Sequence, residues 1–334
     1  MTTYMRLNFT DREEISRGLA RGWTFSHIAH NISRPVSTVS REVWSNCKYR
    51  RAYRAGRAQT KSVITRHRQK QPKRLETNGQ LKKYVLEKLR EKWSPDEIAR
   101  RLIEDYATDM TMRVSHESIY TYIYCLPRGS LKKELIGCLR QERKLRHSRK
   151  NSHSRRGAIR DAISIHERPL EVTDRIVPGH WEGDLIMGSK RSNTALGTLV
   201  ERTTRYLLLV PLENHDAYTV RTEFAKAVKT IPRRLKKTLT YDRGSEMSQH
   251  KLFTKDTKIQ VYFADPHSPW QRGTNENTNG LLRQYFPKGI DFRRVSKREI
   301  LRVQEQVNGR PRKALNYAMP HEAFSELLLN KDLR

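Results

Sequence analysis

Three carboxylates in the C-terminal half have the residue types and settings for chemistry on a phosphodiester. They are Asp184 in GHWEGDLIMG, Asp242 in TLTYDRGSE and Glu276 in DPHSPWQRGTNENTNGLLR, with 33 residues (243 to 275) between the last two. Converging acids repel, and without a cation at least one would stay protonated. Mg²⁺ relieves that repulsion: it is a hard ion that takes oxygen ligands from a few carboxylates and completes its shell with water and phosphate. Two such ions can flank a scissile phosphate, one activating the attacking oxygen and the other stabilising the leaving oxygen. By residue type alone the choice of acids stays open. Glu182 shares a strand face with Asp184, Glu246 follows Asp242 by four, and any single acid on a basic protein can simply be salt-bridged at the surface. Asp174, Asp216 and Asp291 read as such ordinary surface acids.

These acids need elements to bring them together. His180 to Met187 predicts a strand with Trp181, Gly183 and Leu185 on one face, which puts Asp184 on the other; His180 and Trp181 read as packing residues. Thr194 to Arg202 and Arg205 to Leu212 continue as strands across Thr203-Thr204, suiting an antiparallel meander. Ala217 to Ile231 has Val220, Phe224 and Val228 at helical spacing. Lys237 to Tyr241 is a strand ending at Asp242, Gln249 to Lys255 suits a short helix, Ile259 to Ala264 is another strand, and Asn275 onward is helical. The order predicts a mixed sheet with helices on its faces. Neighbouring first and fourth strands would bring Asp184 and Asp242 together, with the Glu276 helix over the same edge. On that helix Asn279 and Arg283 fall at i+3 and i+7 from Glu276. Arg283 suits a phosphate contact or a plain surface cation. Trp270, Gln271 and Arg272 precede the helix and read as DNA strand-end contacts by stacking and charge; Trp270 as a core anchor is the alternative. A lone histidine there, His267, is more often structural than catalytic.

The 334 residues are enough for two or three domains. Lys+Arg number 67 against 36 Asp+Glu, a formal net charge of +31, which makes nucleic acid the default partner. No apolar run approaches a membrane span, and no secretory or lipidation signal is read, so no membrane role is expected. Cys47, Cys125 and Cys138 have no C-x-x-C spacing, which fits a reducing cytoplasm and argues against a cysteine zinc site.

The charge is concentrated in front: residues 1–160 hold 37 Lys/Arg against 15 Asp/Glu. Segment 10–46 predicts three short helices. Thr10 and Glu13 form a capping box that would start the first at Asp11, Pro35 ends the second, and Val36 to Trp44 makes the third, with Val36, Val39 and Val43 inward. Ser37, Thr38, Ser40 and Arg41 then face outward near its start, as in a helix-turn-helix whose last helix meets base edges; an ordinary three-helix bundle is the alternative. Segment 43–75 has no acid and carries Lys48, Arg50, Arg51, Arg54 and Arg57 among its cations, suiting phosphate tracking. Segment 80–126 repeats the theme. Leu81, Val85, Leu86 and Leu89 line one helix, and Ser94-Pro95-Asp96-Glu97 caps a second that buries Ile98, Leu102 and Ile103. Ser115 caps a third helix, which would point His116, Glu117 and Thr121 towards DNA or serve an assembly scaffold instead. The expected organisation is a helix-turn-helix domain at 1–47, a basic linker at 48–78, a second helix-turn-helix domain at 79–139, a basic linker at 140–172 and a catalytic domain at 173–330.

Longer strings narrow the choice among the acids. GHWEGDLIMG, TLVERTTRY, YDRGSE, YFADPHSPWQRGTNENTNGLLRQYFPKGIDF and VNGRPRKAL closely resemble the DDE transposases of the insertion-sequence-30 family. In the front half, TVSREVWSN, and WSPDEIARRL with SHESIYTYIY, look like that family's two helix-turn-helix units. The resemblance runs from about residue 5 to 325. It implies a multidomain chain, with all-α helix-turn-helix units followed by an α/β ribonuclease-H-like, retroviral-integrase-like catalytic domain. It also implies that Asp184, Asp242 and Glu276 form the metal-binding triad, with two Mg²⁺ ions per site and Mn²⁺ able to substitute. The implied activity is hydrolysis at the element's ends to expose a 3′-OH, followed by attack of that hydroxyl on target DNA, with no covalent enzyme–DNA intermediate. The expected partners are terminal inverted repeats, target DNA and at least one further copy of the chain, in a bacterial cytoplasm at the nucleoid. The departure is Arg243, where Asn often follows the second acid; no His-His-Cys-Cys zinc unit of the retroviral type is found. A non-catalytic DNA-binding regulator and a structure-specific nuclease are the competing readings. Arg310 to Lys313 suit either a DNA contact or a cap on the fold.

Overall fold

The structure, a computed structural model, describes residues 6–67, 74–140, 159, 161–189, 191–266 and 268–330. The chain forms two compact units that divide after Pro72. In the first, helices α1 (Phe9–Ala20), α2 (Phe25–Asn31), α3 (Val36–Asn46) and α4 (Ala55–His67) enclose Ile15, Leu19, Ile28, Val39 and Val43. The first helix starts earlier than Thr10 and Glu13 suggested. Asn8 is its N-cap and pairs reciprocally with Asp11, because an Asn oxygen serves the exposed N–H groups as well as a Thr hydroxyl does. Gly18 lies where a Cβ would come 2.7 Å from Ile28, so its lack of a side chain lets α1 and α2 approach. Val36 is exposed at the first turn of α3, where no neighbouring helix covers it, and is not inward as expected.

The stretch expected as the first basic linker begins as part of this unit. Tyr53 and Ala58 are buried in the same core, and Tyr53 donates its hydroxyl to Glu42. Arg12 ties the unit together, donating to Glu42, to Gln59 on α4 and to the Leu7 carbonyl. The periodic apolar signal of 55–67 is weak, which is why charge dominated the reading of the sequence there. Residues 68–73 lie outside the described residues, as do 141–158 and Arg160 of the second linker and His267.

The second unit opens with α5 (Arg74–Thr77), α6 (Gly79–Arg90), α7 (Pro95–Asp105), α8 (His116–Cys125) and α9 (Ser130–Cys138) around Leu81, Val85, Leu89, Trp93, Ile98, Leu102, Ile119 and Ile123. Ser94 with Glu97, and Ser115, cap their helices as the sequence indicates. Ile103 is exposed, one residue off the buried stripe.

After a short helix, α10 (Glu171–Asp174), the chain forms β1 (His180–Met187), β2 (Ala195–Glu201), β3 (Leu207–Leu212), α11 (Ala217–Val228), β4 (Thr238–Tyr241), α12 (His250–Thr257), β5 (Gln260–Phe263), α13 (Gly273–Leu282), α14 (Lys297–Asn308) and α15 (Pro320–Leu329). The five strands make one mixed sheet in the order β3-β2-β1-β4-β5. The first three are antiparallel, and β4 and β5 lie parallel to β1. One face packs on α11 and α12 through Val220, Phe224, Val228 and Phe253. The other packs on α13 and α14 through Leu282, Ile300, Val303 and Val307. Residues ahead of α10 already belong to this fold, since the Ile163 carbonyl accepts from the Phe263 N–H and Ser164 bridges β5.

The tail beyond α14 joins the helical bundle to the sheet domain. Arg101 on α7 makes a two-pronged ion pair with Glu322, Asp96 accepts from the Tyr317 hydroxyl at 2.7 Å, and Arg310 lies 2.9 Å from Glu97. Arg310 and Arg312 are both buried in this junction.

Candidate active site

Asp184 projects from the middle of β1 and Asp242 follows the last residue of β4. Because β1 and β4 are adjacent and parallel, with Glu182 opposite Thr240, the two acids lie on the same face two residues further on. A single guanidinium joins them. Arg272 Nη1 is 3.4 Å from Asp184 Oδ1, and its Nη2 is 3.4 Å from Asp242 Oδ2. Arg272 also donates to the Gly183 carbonyl at 3.0 Å. Asn279 Nδ2 donates to Asp184 Oδ2 at 2.9 Å, and the Gly244 N–H donates to Asp242 Oδ1 at 3.2 Å. Burial holds the Asp184 carboxyl above its ordinary range; the Arg272 cation opposes that rise and the nearby Asp242 adds to it.

Glu276 is exposed on α13, four residues after Arg272 and three before Asn279. At 100° per residue these three share the helix face whose other two members touch Asp184. No group of three His, Cys, Asp or Glu side chains close enough to hold one metal ion occurs among the described residues. Asp184 and Asp242 are therefore brought together, while Glu276 is brought to the same face but stands clear into solvent.

What fixes α13 there is a buried polar cluster absent from the reading of the sequence. Glu182, fully buried, accepts from the Asn275 N–H at 2.8 Å and lies 3.3 Å from Arg202. Asn275, also fully buried, donates through Nδ2 to the carbonyls of Glu182 and Thr198 and accepts from the Thr198 hydroxyl. Glu182 thus serves as the anchor of the helix. The signal for it was an acid at a central strand position facing a helix, a place where an acid survives only with partners. Glu246 turns back against Gly244, where a Cβ would clash with its carboxylate. On the opposite face, Tyr241 packs under Gly183, and a Cβ there would be 2.8 Å from the ring.

The expected DNA-contacting residues fall in several places. On α3, Ser37 and Arg41 are exposed and Thr38 and Ser40 half-buried; Lys48, Arg50, Arg51, Arg54 and Arg57 are exposed. Arg50 sits 4.1 Å from the Phe25 ring centroid, which steadies its charge at the surface. His116 and Thr121 are exposed on α8, with His116 3.4 Å from Glu117. Trp270 is 71% exposed, so it is not the core anchor that one reading made it. Arg272, expected at a DNA strand end, faces the two acids. Arg283 is half-buried and directs Nη1 to the Phe286 carbonyl at 3.4 Å.

Residues 174–269 match the integrase core domain model and residues 3–46 match a helix-turn-helix domain model. The transposase for insertion sequence element IS1086 from Cupriavidus metallidurans is 42% identical over 98% of this chain and 97% of its own length. The chain belongs to the insertion-sequence-30 family of transposases. Transposase InsI for element IS30A from Escherichia coli is 42% identical over 95% of this chain and 82% of its own. The transposase for element IS4351 from Bacteroides fragilis is 34% identical over 90% of both. This transposase accordingly combines a helical, helix-turn-helix front with an integrase-type, ribonuclease-H-like mixed-sheet domain, and the helix-turn-helix implies that it binds DNA. The integrase match spans Asp184 and Asp242 and ends before Glu276. Among the described residues, no helix is long and apolar enough to cross a membrane.

Proposed function

We propose that the chain recognises the terminal inverted repeats of its insertion element and catalyses cleavage there, followed by transfer of the freed 3′ end to target DNA. Asp184, Asp242 and Glu276 act as the metal-holding triad in this reading. The observation that carries it is the pairing of Asp184 with Asp242 around one cationic group, beside a helix face that bears Glu276. The donor set is all oxygen and already stabilises positive charge between two acids, which fits a hard divalent ion such as Mg²⁺, with Mn²⁺ as substitute. Bound there, two ions would activate the attacking oxygen and stabilise the leaving one. The chain's own groups provide the positioning. Asn279 orients one oxygen of Asp184, the Gly244 N–H orients Asp242, and Arg272 keeps the two carboxylates side by side. Exposed Trp270, two residues before Arg272, offers a flat face on which a base at a strand end can stack. Residues on α3 and the following cations read and hold the repeats, and at least two copies of the chain act together because two element ends must meet.

The test is cleavage and strand transfer on labelled terminal DNA in Mg²⁺ and in Ca²⁺, for the wild type and for Asp184→Asn, Asp242→Asn and Glu276→Gln. Each variant should still bind the repeats and lose Mg²⁺-dependent cleavage. Wild-type cleavage by any of the three would refute the triad. Tight binding without nicking by the unmodified chain in either Mg²⁺ or Mn²⁺ would instead identify a non-catalytic regulator.

A further inference from the structure

The side of α13 turned away from the carboxylates borders a second feature, a cleft of about 530 Å³ between the helical bundle and the sheet domain. Arg140, Arg175, Arg205, Arg312 and Lys313 line it, and its one acid among the described residues is Glu97. That acid is already committed: it accepts from the Ser94 N–H at 2.6 Å and from Arg310 at 2.9 Å. The five cations therefore face one another with little compensating charge. Burial first, and neighbouring arginines second, hold Arg140, Arg205 and Arg312 below the ordinary guanidinium range, Arg312 down to about 9. An anion placed among them would relieve that repulsion.

The cleft is also built at some cost to the backbone. Arg205 and Arg175 have φ of +62° and +56°, a left-handed conformation that is strained for a residue with a side chain. The turn that presents Arg205 is held by fully buried Glu201, which accepts from Gly179, from the Thr204 N–H and from the Thr204 hydroxyl. Arg205 then reaches Thr274 on the first turn of α13, and Arg140 reaches Asn277 one turn on. Gly273 and Thr274 bring the positive end of the helix to the cleft as well. At 100° per residue, Gly273, Asn277 and Leu281 lie about a third of a turn round α13 from Arg272, Glu276 and Asn279.

We propose that this cleft is a second DNA-backbone site, which grips phosphodiesters of a DNA segment other than the strand at the carboxylates. The inference rests on the DNA strand-cleaving reading only for the identity of the polyanion. Its test needs no catalysis. Binding of the full-length chain to a random-sequence duplex is measured in EDTA across a salt series, for the wild type, for Arg140→Ala/Arg175→Ala/Lys313→Ala, and for a control, Arg298→Ala/Arg302→Ala, on the exposed side of α14. Each lost phosphate contact lowers the slope of log K against log salt by about 1, so the triple variant should lose about 3 from the slope and the control should keep the wild-type slope. Thermal melts check that both variants fold. A photo-crosslinking amino acid in place of Asn277 in the otherwise wild-type chain should label the duplex, and inorganic pyrophosphate should compete only weakly. An unchanged slope in a folded triple variant overturns the proposal, as does an unlabelled duplex. Tight pyrophosphate binding with an unchanged DNA slope would make the cleft a small-anion site and would also overturn it. None of these outcomes depends on whether Asp184, Asp242 and Glu276 catalyse.

Discussion

Asn275 sits immediately before Glu276, and replacing it with alanine separates the anchoring of α13 from the chemistry assigned to it. The substitution removes three buried side-chain hydrogen bonds: Nδ2 to Glu182 O at 2.9 Å, Nδ2 to Thr198 O at 3.3 Å, and the Thr198 hydroxyl to Oδ1 at 3.1 Å. At a net value of about 1 kcal/mol each these sum to roughly 3 kcal/mol. Thr198 recovers part of its loss, because its hydroxyl also donates to the Asp184 carbonyl at 3.1 Å. The two carbonyls left without their side-chain donor push the other way. The expected destabilisation is therefore about 2–4 kcal/mol, read as a lower urea midpoint at unchanged slope. The functional effect should exceed the loss of folded protein. A shift of about 1 Å in a catalytic group is enough for a ~100-fold loss of rate, and the N–H of Asn275 alone would then hold the first turn of α13 to Glu182. Cleavage of terminal DNA should be measured at a temperature where urea titration shows the variant fully folded. Thr198→Val, which removes one of the three bonds together with the contact to the Asp184 carbonyl, should show the same effects at a smaller free-energy cost. A folded Asn275→Ala protein that is destabilised as expected yet cleaves at the wild-type rate would refute the idea that this cluster places Glu276.

Four further outcomes follow from the geometry. Arg272→Ala removes the cation between Asp184 and Asp242, so half-maximal cleavage or ion binding should need less Mg²⁺; an unchanged Mg²⁺ titration would mean that the guanidinium does not compete for the site. Gly183→Ala forces a Cβ to 2.8 Å from the Tyr241 ring, an overpacking that should cost about 1–3 kcal/mol in a thermal melt and be relieved by Tyr241→Leu. Glu97→Ala strands the buried Arg310 guanidinium and should cost about 3–5 kcal/mol, with the tail beyond Asn308 becoming protease-sensitive first. His180 is buried against Thr238, and that burial lowers its pKa to about 4 although Glu171 opposes the shift. The unfolded chain takes up a proton below about pH 6.5 while the folded chain stays neutral until about pH 4, so stability should fall by up to ~3 kcal/mol across that window. In His180→Gln that part of the pH dependence should be gone.

Much of this protein could be read from local pattern. Alternation in 180–187, helical spacing at Val220, Phe224 and Val228, and the caps at Ser94 and Ser115 each depend on residues close in sequence, and the structure has those elements in the order read. The bounds of α1 and the inward placement of Val36 and Ile103 went astray because capping and burial depend on which neighbour covers a turn. Helix α4 was hidden because its amphipathicity is weak and its charge strong, so only packing of Tyr53 and Ala58 against distant residues shows that it belongs to the first unit.

The sequence by itself determined which acids could hold a metal, the family resemblance and the strand and helix order, since these lie in contiguous strings. Only the tertiary structure decided which acids lie together. Asp184 and Asp242 share one guanidinium because β1 and β4 are neighbours, a pairing across more than fifty residues that no local signal encodes. Glu182 is two residues from Asp184 and on the same face, yet it is buried under α13 and anchors Asn275, while Asp184 is partly exposed. Burial separates these two acids, and burial is a property of the assembled fold.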